Sequence, residues 1–449
     1  MNLSKLGFKI IEEANNLKRT KVALSKELNI SKETLEKVIT GKCNSKEAKN
    51  VIARMLEVYP IDPKKLQLVD EKNHCGFTIT NRKASKKSSR VFNRKNSLGL
   101  INKYYEYRDT AMQKNAPIYP EWIQPLVVVD NNNPKNKLVC YNKGHILHQF
   151  TFFIGEVNFY WKDSFGYHCK LMNTGDSNYI PPFIPHSFTS RNKKKLGLII
   201  AVTFADILSF ARSNFSFYNR KIIESFSGNT DKKYSYLKCF IENFLNANFM
   251  DEKYLQNKMS GEGIKEKSAI NIISGRKKLN KNEIKIMSKL LNISEEKMKA
   301  VANNSPLEVI NKKLNENLYR TIECDSENFK VWDLAKCKFD SLIKAFIMET
   351  NFKTKNFTIN HRSYEYVYNF DKNEVIIKTE KEEFVLKPEE SIVFSPMIKH
   401  SFYNKLISQN TKILIVRVSE EFSEDFIDMF ANLGNASRKK IFSEASQWF

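Results

Sequence analysis

The chain has 449 residues, 41% hydrophobic and 27% charged, with 73 Lys and Arg against 50 Asp and Glu, a formal net charge of +23. That length suits several domains with packed cores, and 14 Gly and 12 Pro exclude collagen-like or linker-dominated chains. No apolar run reaches roughly 18 residues, which argues against a membrane span, and seven cysteines without a CxxC pair suggest reduced thiols in a cytoplasmic protein.

Residues 1–75 predict a helical module of the helix-turn-helix kind, with Ser31 as N-cap before KETLEKVI and Gly41 at a helix end. Residues 82–95, RKASKKSSRVFNRK, predict a basic, Ser-containing loop. Residues 95–210 alternate apolar and polar residues in FTFFIGEVNFYW and LGLIIAVTF, with Gly, Asn, Asp and Pro between them, which predicts a β-barrel. Residues 206–232 are mixed and predict a bridge. The pattern then returns. Residues 233–310 predict a second helical module, in which Ile273-Ser274-Gly275-Arg276 matches Ile39-Thr40-Gly41-Lys42. Residues 325–425 predict a second barrel, in which EESIVFSPMIKHSF repeats GDSNYIPPFIPHSF. The fold class is α+β, a tandem repeat of helical module and barrel.

The positive charge suggests a polyanionic partner. Lysine greatly outnumbers arginine, however, and Asn and Ile are abundant, so compositional bias on solvated faces explains most of it.

Chemistry concentrates in the barrels. His145 and Gln149 are four residues apart, so on a strand they share a face, while His148 has the other parity and suits a hydrogen-bonded core residue. His186 follows a Pro-rich turn, where a later strand is expected to return beside the first. Two imidazoles and one oxygen donor inside a barrel make a facial site with open positions, suited to Fe(II) and O2. His361, Glu365 and His400 repeat the spacing with a carboxylate, a possible second metal site in a barrel read as structural and degenerate.

These residues carry a resemblance. Gly144-His145 followed by Pro185-His186-Ser187-Phe188, with Asn142 before the first histidine, resembles the cupin barrel, a double-stranded β-helix. A helix-turn-helix module fused to a cupin resembles the phosphonate oxygenase family of hydroxypropylphosphonate epoxidase, hydroxyethylphosphonate dioxygenase and methylphosphonate synthase. The tandem arrangement extends the resemblance over nearly the whole chain, and Tyr104-Tyr105-Glu106-Tyr107 and Ile200-Ala201-Val202-Thr203-Phe204 add to it. The epoxidase's Glu position is Gln149 here, and the dioxygenase's carboxylate position is Ile180. A His-Gln-His set is similar to the methylphosphonate synthase branch. The resemblance implies a mononuclear Fe(II) enzyme that cleaves the C–C bond of 2-hydroxyethylphosphonate with O2, giving methylphosphonate and CO2 or bicarbonate. It implies metal ligands His145, Gln149 and His186, and substrate contacts from Lys18 (with Lys21 as rival), Tyr107 and Asn142. Tyr105 is next on the same strand face, and Ile180 and Thr203 stand behind the ligands. The family's phosphonate-binding Arg falls at Gly99, which leaves Arg94 as the nearest arginine.

Three other readings stay open: dioxygenase chemistry giving hydroxymethylphosphonate and formate, a helix-turn-helix regulator with a cupin sensor, and a cupin acting on another small acid. DNA and membrane are not expected partners, and a homo-oligomer is compatible with the sequence.

Overall fold

The computed structural model describes residues 3–66, 76–113, 116–204, 236–302, 307–324, 327–336, 343–419, 429–434 and 437. The expected bridge at 206–232 lies outside them. Among the described residues, no helix is long and apolar enough to cross a membrane.

Helices Leu3–Asn16, Lys21–Glu27, Lys32–Ile39 and Ser45–Val58 form the first module. Thr20, Ser31 and Asn44 cap three of them by accepting backbone N–H groups of the first turn. Apolar residues at helical spacing, among them Leu6, Ile10, Leu24, Leu35, Val38 and Met55, meet in one core. The second module, from Tyr236–Ala247 to Glu295–Ala302, has its own core around Ile241, Met259, Ile272 and Met287.

The strands of the first half are β1 (Phe77–Thr80), β2 (Arg90–Lys95), β3 (Ile101–Asp109), β4 (Ile118–Pro125), β5 (His148–Ile154), β6 (Val157–Asp163), β7 (Gly166–Met172), β8 (Ser177–Ile180), β9 (His186–Ser190) and β10 (Leu198–Phe204). Those of the second half are β11 (Ile310–Lys312), β12 (Arg320–Cys324), β13 (Glu327–Asp333), β14 (Ile343–Thr350), β15 (Tyr364–Tyr368), β16 (Val375–Thr379), β17 (Glu383–Leu386), β18 (Ser391–Phe394), β19 (His400–Tyr403) and β20 (Thr411–Val418). The segment 82–95 is not the loop that its lysines and serines predict. Arg82–Lys87 is a helix capped by Asn81, and Arg90–Lys95 is strand β2, paired with β3. Basic residues are good helix formers once a cap starts the turn, and β2 supplies the sheet edge.

Each barrel faces a seven-stranded sheet with a three-stranded one. The first has the order β11-β8-β5-β10-β4-β3-β2 over β7-β6-β9, the second β1-β18-β15-β20-β14-β13-β12 over β17-β16-β19. The two barrels exchange edges. β1 leads into the first barrel but pairs antiparallel with β18 of the second, and β11 leads into the second but pairs with β8 of the first. Each linker thus covers a strand edge that would otherwise stay open.

The large sheets are buried on both faces. Phe153, Phe159, Phe188 and Ile199 fill the first barrel. From the other face, Phe150, Phe152, Ile200 and Val202 pack against Tyr366, Val393, Leu414 and Val416 of the second barrel. β5 therefore shows almost continuous burial instead of the alternation of a half-solvated strand. Burying each such side chain stabilises the pair by about 1.5–3 kcal/mol, so the barrels form one body with a shared core.

Candidate active site

His145 does not lie on a strand, as its spacing from Gln149 predicts, but in the bend before β5. The turn is held by Gly144, at φ 76°, where a Cβ would stand 2.4 Å from the Phe183 carbonyl carbon. The Phe183 N–H donates to the His145 carbonyl at 2.8 Å, which ties this bend to the Pro-rich turn. His186 opens β9, which belongs to the facing three-stranded sheet and pairs with β6, so it does not return beside β5. The neighbours of β5 are β8 and β10. His145, ahead of β5, and His186, at the start of β9, nevertheless meet, with ring centroids 5.1 Å apart.

The hydrogen bonds decide which atoms face the centre. His145 Nδ1 lies 2.6 Å from the Leu147 carbonyl and His186 Nδ1 lies 2.8 Å from the Ile184 carbonyl. A carbonyl only accepts, so both Nδ1 atoms carry the hydrogen and both Nε2 atoms keep a lone pair. Gln149 Nε2 donates to Thr151 Oγ1 at 2.8 Å, which turns its Oε1 toward His145 Nε2 at 2.9 Å. Two lone-pair atoms thus face each other without a hydrogen of their own between them. A divalent cation resolves that conflict, and the donors are those of a facial N2O site. Burial pushes the His186 imidazole down to about 3, with His145 and Arg94 adding to the effect, so the ring is neutral and ready to ligate.

Asn142 closes the site from one side. Its Oδ1 accepts from the N–H groups of Gly144 (3.0 Å) and His186 (2.8 Å), and its Nδ2 stands 3.0 Å from His186 Nε2. Ile180 on β8 and Thr203 on β10 are the cross-strand partners of Gln149, and so share its inward face. Ile180 is fully buried, and the Thr203 hydroxyl donates to the Tyr119 carbonyl at 3.4 Å.

Tyr105 and Tyr107 share a face of β3, with rings 5.8 Å apart. The Tyr105 hydroxyl accepts from the Phe188 N–H at 2.8 Å and lies 3.3 Å from Ser187 Oγ, so it braces β3 against β9. Among the described residues, the Tyr107 hydroxyl makes no hydrogen bond and remains available. Arg94 does reach this region. The β2–β3 hairpin pairs Arg94 with Asn102 and turns at Gly99, which lays the guanidinium over the Tyr105 ring at 4.8 Å. Its Nη1 donates to the Cys140 carbonyl at 2.6 Å. The family's arginine position in the sequence is thus a hairpin turn, and the cation arrives from the opposing strand.

Lys18 stands after the first helix with φ 58°, its Nζ 3.4 Å from the Asn15 carbonyl oxygen of its own module. Lys21 is paired with Glu36 at 2.9 Å. His148 points away into the shared core, where its Nδ1 meets the Tyr179 hydroxyl at 2.7 Å and burial lowers its pKa.

In the second barrel the corresponding side chains bond one another. Glu365 is fully buried, with Oε1 2.8 Å from His400 Nε2 and Oε2 2.8 Å from His361 Nε2. Arg417 Nε donates to the same Oε2 at 2.5 Å, a partner that the histidine spacing does not reveal. Its signal in the sequence is one arginine inside the apolar strand TKILIVRV, at the position of Thr203. Burial opposes ionisation of Glu365, but His400, Arg417 and His361 together hold its carboxyl well below the usual range. Among the described residues, no group of three or more His, Cys, Asp or Glu side chains has metal-holding geometry, this trio included.

No protein-family model matches the chain. Methylphosphonate synthase of Nitrosopumilus maritimus (strain SCM1) is 30% identical over 447 residues, 97% of this chain and 93% of that protein. (S)-2-hydroxypropylphosphonic acid epoxidase of Streptomyces wedmorensis is 33% identical over 103 residues, 22% of this chain and 49% of that protein. Among solved structures, a Streptomyces albus 2-hydroxyethylphosphonate dioxygenase, with 2-hydroxyethylphosphonate and Fe(II) bound, has a similar fold. It matches with a TM-score of 0.79 at 22% identity, covering 100% of this chain and 99% of that one.

Proposed function

Because the chain belongs to the methylphosphonate synthase family, we propose that it is an Fe(II)- and O2-dependent oxygenase that converts 2-hydroxyethylphosphonate to methylphosphonate. The observation that carries this reading is the orientation of Gln149, whose oxygen is turned toward the His145 lone pair by the bond to Thr151. His145, Gln149 and His186 would hold the metal. When bound, the iron supplies O2 activation at positions that three protein ligands leave open.

The chain's own residues account for the rest. All three ligands are neutral, so they leave the dication's charge to be met by an anionic substrate. Arg94 and Tyr107 on the first barrel, with Asn142 Nδ2, form a donor surface for a phosphonate beside the ligands. We assign Lys18 a phosphonate contact as well, supplied from the helical module. Ile180 and Thr203 flank Gln149 and set the space on its inward side. The overall change is 2-hydroxyethylphosphonate plus O2 to methylphosphonate plus CO2 and water, in which the carbinol carbon is oxidised and O2 reduced.

The test is anaerobic reconstitution with Fe(II), addition of 2-hydroxyethylphosphonate and O2, and phosphorus NMR of the product. Methylphosphonate is the expected resonance. Hydroxymethylphosphonate with formate would move the protein to dioxygenase chemistry, and unchanged substrate would overturn the reading.

A further inference from the structure

We infer that Arg417 is a built-in cation that closes a second metal-ligand set, His361, Glu365 and His400, in the second barrel. The argument begins with register. β15 pairs with β20 so that Glu365 lies opposite Arg417, and β5 pairs with β10 so that Gln149 lies opposite Thr203. The two sites are built at the same node of the same topology. In the first barrel that node offers a neutral amide oxygen and a short hydroxyl side chain. In the second it holds a buried carboxylate and a guanidinium in direct contact.

Three observations bear on how Arg417 and His361 close the second set, while His400 keeps the arrangement of His186, with its Nδ1 2.8 Å from the Ile398 carbonyl and its Nε2 lone pair toward Glu365 Oε1. Arg417 Nε occupies Glu365 Oε2, which is the charge compensation a dication would otherwise provide. His361 Nδ1 accepts from the Ser363 N–H at 3.2 Å, so its hydrogen is on Nε2, which donates to Glu365 instead of presenting a lone pair. The two histidine rings also stand 6.3 Å apart, against 5.1 Å in the first barrel. A fourth feature holds His400 in place. Phe394, the counterpart of Ile180 opposite Glu365, stacks flat on its ring at 4.0 Å and 4°.

The ligand chemistry that remains is a hard–borderline N2O set with a carboxylate, suited to a divalent first-row metal once the guanidinium is removed. A cavity of about 270 Å³ adjoins the set, lined by His361, Arg417 and a second arginine, Arg320, with Thr358, Asn360 and apolar side chains. Removing one positive charge in contact with the carboxylate strengthens dication binding by about two orders of magnitude.

The experiment uses the full chain and Co(II), counting metal per chain after desalting and recording the visible spectrum. It is run on Arg417→Thr, which copies the first barrel, and on Arg417→Gln, which keeps the length and removes the charge. Cobalt belonging to the second barrel is defined as cobalt lost on adding His400→Ala. The expected result is no such cobalt in the unsubstituted chain and one per chain in at least one Arg417 variant that retains the native circular-dichroism spectrum. Folded variants without His400-dependent cobalt would overturn the inference, and so would His400-dependent cobalt in the unsubstituted chain. The readout depends on His400, so it stands apart from whether the first barrel holds iron.

Discussion

The two barrels share strand order, register and the spacing of their central side chains, yet they treat the same node of the fold in opposite ways. In the first barrel, Thr151 takes the amide hydrogen of Gln149, so that its oxygen faces the His145 lone pair and no charged side chain enters the pair. In the second, the carboxylate of Glu365 accepts from His361 and Arg417, although a backbone carbonyl faces the Nδ1 of His400 as it does that of His186. An unfinished set of donors needs something from outside the chain, whereas a closed ionic cluster holds the barrel together. A carboxylate in a His-x3-Glu spacing is therefore not by itself evidence for a metal, because its cross-strand neighbour decides what neutralises it.

Substitutions can break this contrast, and the largest effect falls on the first barrel. His186→Ala is expected to abolish iron retention and to lower turnover by about 1,000-fold or more, because one of three ligands is lost. His400→Ala is expected to leave turnover per folded molecule unchanged, and the reverse pattern, in iron counts and oxygen-uptake rates, would exchange the roles of the barrels. Glu365→Gln strands Arg417 beside a neutral amide. It is expected to cost about 3 kcal/mol in urea unfolding, the usual scale for breaking a buried ion pair, without moving the product ratio.

Arg94→Ala is expected to raise the KM for the phosphonate by about 10-fold or more with a smaller change in kcat, as for loss of a charge-assisted contact. Gly144→Ala forces a Cβ onto the Phe183 backbone at positive φ. It is expected to cost about 1–3 kcal/mol and to weaken iron binding through His145, whereas Asn360→Ala at the equivalent place in the second barrel stays within about 0.5 kcal/mol. The smallest effect is on pH dependence. Burial lowers the pKa of His148 from 6.5, so below that pH the unfolded chain takes up a proton that the folded chain refuses. Stability of the metal-free protein therefore falls on acidification from pH 7, and His148→Tyr, which copies Tyr364 of the second barrel, is expected to flatten that fall in denaturant titrations.

Much of this was legible in residues alone. The repeat, the helical modules and their caps, and the two Gly-His or Asn-His openings with Pro-His-Ser-Phe or Lys-His-Ser-Phe closings all lie in local pattern. The pairing of His145 with Gln149 was legible too, although for a different reason from strand parity, since a bend at Gly144 makes the contact. Arg94 was obscured because sequence distance to the tyrosines counts a hairpin that folds back on itself. The segment 82–95 misled because its composition is that of a solvated surface, which helices, edge strands and loops share.

What the sequence determined by itself is the kind of parts and their chemistry: two helical modules, two barrels, and neutral donors in one barrel against a carboxylate in the other. These follow from local spacing and side-chain type. Only the tertiary structure decided the exchange of β1 and β11 between barrels, the double burial of the large sheets, and the meeting of Arg417 with Glu365. Each of these depends on which strands pair at long range, and a cross-strand partner is set by register across the whole sheet, which no local pattern of residues specifies.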